Sequence, residues 1–145
     1  MGEIIPFKKL INKKTVQHGF LDFDKIDHYL DMLDIQRGVL TELHILTERF
    51  LRDLGFQPEL FELDDNTIRR SISADLVEYM EGGEESLDVC YKATIDGVEY
   101  RTLASSMADG ENVQMDIDFF KFADGEWLSY MGNDSWSRGP GADFF

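Results

Sequence analysis

The chain has 145 residues, enough for one domain that buries about two-thirds of the surface its unfolded form exposes. Its 43% hydrophobic and 12% aromatic content excludes a disordered protein, and its single cysteine, Cys90, excludes a disulfide framework or a cysteine-rich zinc site. A formal charge of -15, from 29 carboxylates against 14 Lys plus Arg, argues against direct binding to nucleic acid or anionic lipid.

That charge is uneven. Lys8, Lys9, Lys13 and Lys14 against Glu3 give the first fourteen residues +3 and leave -18 on the rest. Residues 1–14 therefore read as a basic N-terminal arm, 15–131 as a single domain and 132–145 as a tail. No apolar run has the length of a signal peptide core or a membrane span, so a cytoplasmic protein is expected.

Residues 24–54 place Ile26, Tyr29, Leu30, Leu33, Leu40, Leu43, Leu46, Phe50, Leu51 and Leu54 at the three-and-four spacing of a helix face. Asp22 or Asp24 can cap it, and Gly55 followed by Phe56 and Pro58 predicts its end. One continuous helix is expected, with Gly38 as the place where it would break. A second helix is predicted after Asp65 or Asn66, with Ile68, Ile72, Leu76 and Met80 at every fourth position and Gly82 and Gly83 as its stop.

From residue 86 the period becomes two. Leu87, Val89, Tyr91, Ala93 and Ile95 alternate with Asp88, Cys90, Lys92 and Thr94 up to Asp96-Gly97, the preferred pair for a type I′ hairpin turn. Counting back from that turn pairs Ile95 with Val98, Ala93 with Tyr100 and Tyr91 with Thr102 on an apolar face, and Lys92 with Arg101 on a polar one. Val113, Met115, Ile117 and Phe119 begin a second hairpin, which turns at Asp124-Gly125. The expected fold is α+β: two helices, one of them long, packed on one side of a four-stranded antiparallel β-meander. Beyond Gly132 the glycine-rich "GNDSWSRGPGADFF" has no period and predicts a flexible C-terminal tail.

Candidate chemistry is sparse. His44 and Glu48 stand one helical turn apart and can share a proton, but two ligands do not make a metal site; a helix-stabilising surface or half-buried pair is the plainer reading. His28 sits among Asp24, Asp27 and Asp31, where a charge-balancing surface role suffices. Asp109, Glu111, Asp116 and Asp118 lack the spacing of a calcium loop, although Asp116 and Asp118 project from the same strand face. No serine lies in a nucleophile elbow, Cys90 has no neighbouring histidine, and "EGGEE" is too acidic to cradle phosphate. No catalytic residue, metal or cofactor is assigned. An aromatic pocket lined by Tyr91, Tyr100, Phe119, Phe120, Trp127 and Tyr130 is the basis of an alternative, a small-molecule-binding protein or enzyme.

The carboxylates of Asp24, Asp27, Asp31 and Asp34 fall within roughly 80° of arc on a helix. They read either as a solvated face or as a contact stripe for a basic partner, with Ile45 beside the stripe as an apolar contact. At the other terminus, Asp143, Phe144 and Phe145 end the chain. This short acidic ending in phenylalanine resembles the C-terminal tip by which bacterial single-stranded-DNA-binding proteins recruit partners. The resemblance covers only the last three residues, the preceding acidic run is thinner, and Arg138 departs from it. It implies a docking peptide whose ring enters an apolar pocket; the opposing expectation is that Trp136 and both Phe fold back on the sheet.

The function expected from the sequence is that of a non-enzymatic acidic adaptor or regulatory protein that binds a protein with a basic surface. The partner-binding residues would be Asp24, Asp27, Asp31, Asp34, Ile45, Asp143, Phe144 and Phe145. A nucleic-acid-mimicking inhibitor of a DNA-binding protein is the other alternative, since carboxylates laid along one face can imitate phosphates.

Overall fold

The structure, a computed structural model, describes residues 2–6, 21, 23–24, 34–64, 69–70, 86–109 and 112–138. Within them the chain forms strand β1 (Gly2–Pro6), helix α1 (Asp34–Asp53), a 3-10 turn (Pro58–Leu60), and strands β2 (Glu62–Leu63) and β3 (Arg69–Arg70). Strands β4 (Ser86–Ile95), β5 (Val98–Asp109), β6 (Asn112–Ala123), β7 (Glu126–Gly132) and β8 (Ser135–Ser137) follow. Among the described residues, one long helix, α1, and one antiparallel sheet of eight strands stand in place of the expected two helices on a four-stranded meander.

Helix α1 forms because Val39, Leu40, Leu43, Leu46, Phe50 and Leu51 return to one face every three or four residues, and all are buried. The helix runs unbroken through Gly38. Its end is a Schellman motif: Gly55 adopts φ 89°, its N–H donates to the Arg52 carbonyl at 3.0 Å, and the Phe56 N–H donates to the Leu51 carbonyl at 2.9 Å. Phe56 thereby folds back onto Phe61, Tyr100 and Phe119. Toward the N-terminus the described helix begins at Asp34; Phe23 and Asp24 are also helical, and residues 25–33 lie outside the described residues.

The β4–β5 hairpin has the predicted register, including Ile95 with Val98, Tyr91 with Thr102 and Lys92 with Arg101. Asp96 and Gly97 both have positive φ, as do Asp124 and Gly125, which is the backbone of two type I′ turns. Long strands also present long edges, and unpaired backbone groups there need partners. Short strands supply them in pairs. On the outer edge of β6, β1 takes Asn112 to Asp116 and β7 takes Phe120 to Ala123. On the outer edge of β4, β3 takes Leu87 and Asp88 while β2 takes Tyr91 and Lys92.

This edge pairing accounts for most of the corrections. The second predicted helix is replaced at Arg69–Arg70 by a strand, because β4 offers a ladder there; the rest of that segment, 67–68 and 71–81, lies outside the described residues. Within the residues read as a basic arm, Gly2–Pro6 are a strand, and Glu3 pairs with Arg49 of α1 at 2.6 Å. The flexible tail expected from Gly132 instead opens as β8, paired with β7 through a turn at Asn133 and Asp134, both at positive φ. Trp136 packs back on Tyr100, Phe119 and Tyr130, with ring centroids 5.2 to 6.5 Å apart. The terminal Asp143, Phe144 and Phe145 lie outside the described residues.

Helix and sheet meet on one side of the sheet, where Leu87, Val89, Tyr91, Ala104, Val113, Met115, Ile117 and Phe119 are buried with Ile5 of β1. Trp136→Ala is expected to cost about 2 kcal/mol, roughly half the loss for a fully buried aromatic, because the ring is only half-buried. Urea unfolding of the variant checks this; unchanged stability would mean that β8 contributes nothing to the fold.

Candidate functional site: a carboxylate-bearing groove on the sheet

The registers that bury alternate residues under α1 send the others to the opposite face. Successive rows there are Ile4, Gln114 and Met107; then Asp116, Ser105 and Asp88; then Asp118, Leu103 and Cys90; then Phe120, Arg101 and Lys92. Cys90, Leu103 and Phe120 are buried, so the centre of this face is closed. Its outer end is open: Gln114, Asp116 and Asp118 are exposed, with Ile4 59% and Met107 54% exposed beside them. A groove of about 430 Å³ lies there, lined by Asp88, Ser105, Met107, Gln114 and Asp116.

Beside this groove, burial raises the Asp118 carboxyl above the ordinary carboxylate range; the positive charge of the chain's N-terminus acts against that shift, and the negative charge of Asp116, two residues along the same strand, adds to it.

A second groove of about 420 Å³, near the β2 edge, is lined by Leu60, Glu62, Lys92, Thr94, Glu99 and Arg101. Its charges are matched internally. Arg101 lies 3.1 Å from Glu99 and 3.7 Å from the buried Asp64, and its guanidinium sits 5.3 Å from the Trp127 ring.

The His44 and Glu48 pair points inward instead of lying on the surface. His44 is 0% exposed, with Nδ1 3.2 Å from the Tyr91 hydroxyl. Its Nε2 lies 2.6 Å from Glu48 Oε1, a close contact whose angle is not that of a hydrogen bond. Burial first, then the charge of Glu48, pushes the Tyr91 hydroxyl far above its ordinary range, so it stays protonated. Cys90 is equally enclosed. His44 and Tyr91 join helix to sheet, Cys90 lies on the opposite face of β4, and none of these three reaches solvent as a nucleophile or base would need to.

Of the residues singled out in the sequence, Asp24 is exposed, Asp34 begins α1, and Asp27 and Asp31 lie outside the described residues. Ile45 is half-buried. The neighbouring Arg49 and Arg52 pair with Glu3 and Glu59, each at 2.6 Å. The aromatic residues proposed as a pocket lining are divided between the two sheet faces: Tyr91 and Phe119 are buried toward α1, with Tyr100 stacked on Phe119 at 5.7 Å and Tyr130 tilted against it, whereas Phe120 is buried on the other face and Trp127 contacts Phe122 and Arg101. Sequence reasoning missed the groove, although part of it was countable: the Asp96-Gly97 turn sets Asp88 opposite Ser105. Among the described residues, no three His, Cys, Asp or Glu gather as a metal site, and no helix is long and apolar enough to cross a membrane.

Tyr91→Phe is expected to destabilise the protein by about 1 to 2 kcal/mol in urea unfolding, because the buried His44 loses a hydroxyl partner that no solvent replaces. Asp118→Asn is expected to raise the melting temperature at neutral pH. A carboxyl whose pKa is raised on folding penalises the native state above that pKa, and the penalty fades as pH falls toward the ordinary value of 3.8. The advantage of Asn should therefore shrink on acidification through that window; an advantage that does not vary with pH would assign it to something other than charge.

Compared with protein families, curated proteins and solved structures, the chain shows no match.

Proposed function

We propose that this is a non-enzymatic acidic binding protein, an adaptor or regulator, whose partner is a protein with a basic surface. The observation that supports this most is the contrast between what is enclosed and what is offered. The groups best suited to chemistry among the described residues, His44, Tyr91 and Cys90, are all 0% exposed, whereas Asp116 and Asp118 stand exposed beside a groove at the outer end of the sheet face away from α1. A net charge of -15 supplies long-range attraction for a cationic partner and repels phosphate backbones. Of the aromatic side chains that a small-molecule pocket would need, Tyr91 and Phe119 fill the core and Tyr100 and Tyr130 pack against it.

Capture of partners from a lysate on the full-length protein, followed by identification and affinity measurement of the purified partner, tests the reading. The expected partner has a basic contact surface, and its affinity falls by about tenfold or more between low and high salt, as screening shortens the range of charge attraction. An affinity indifferent to salt, or a partner whose contact surface is acidic, would overturn it.

A further inference from the structure

We draw no further inference here: the strongest candidate, the mixed-charge groove at the β2 edge where Lys92 and Arg101 stand beside Glu62 and Glu99, has its guanidinium already engaged by Glu99 and Asp64, and nothing in the structure shows what would occupy it.

Discussion

Phe119 is where the parts of this fold are tied together. Six aromatic rings surround it: Phe50 and Phe56 from α1 and its capping turn, Phe61 after the 3-10 turn, Tyr100 from β5, Tyr130 from β7 and Trp136 from β8. Most of these contacts are edge-on or tilted, the arrangement that ring quadrupoles favour. The Schellman end of α1 exists in the form it does because Phe56 must reach this cluster, and β8 is held to the sheet because Trp136 does. A change at Phe119 would therefore loosen the helix terminus and the last strand together.

Beside that apolar hub the same layer carries a buried polar one. His44 sits between Glu48 of its own helix and Tyr91 of β4, so the helix is fixed on the sheet in rotation as well as in distance. Apolar packing tolerates small slides of a helix over a sheet; a hydroxyl that must meet a ring nitrogen does not. The cost of enclosing these groups is accepted in the interior, and the exterior is left for charge. One face of these strands packs under α1; the other buries Cys90, Leu103 and Phe120 at its centre and carries carboxylates and two exposed apolar side chains at its outer end.

The presence of a helix and a sheet, the helix terminus at Gly55, the register of the first hairpin and both Asp-Gly turns were legible in the sequence, because each follows from a local rule. Gly at positive φ ends the helix, Asp-Gly sets a two-residue turn, and alternation then fixes which residues share a face. The strands β1, β2, β3 and β8 were not legible in this way. They are two to five residues long, too short to carry a period, and they exist because a long neighbour had an edge to pair. Only Asn133, a residue that tolerates positive φ, hinted at the last turn, and in a glycine-rich context it read as tail.

The candidate site divides along the same line. The sequence by itself determined that Asp116 and Asp118 share a strand face, that the chain is strongly acidic and that His44 and Glu48 are one turn apart, since all three depend on spacing within one element. Only the tertiary structure decided that Asp88 and Met107 stand across from β6, that Ile4 arrives beside Gln114, and that His44 turns inward to Tyr91 and not outward to water. Those outcomes depend on which strand pairs with which and on how α1 is rotated over the sheet. Non-local pairing and packing set both, and no window of neighbouring residues contains that information.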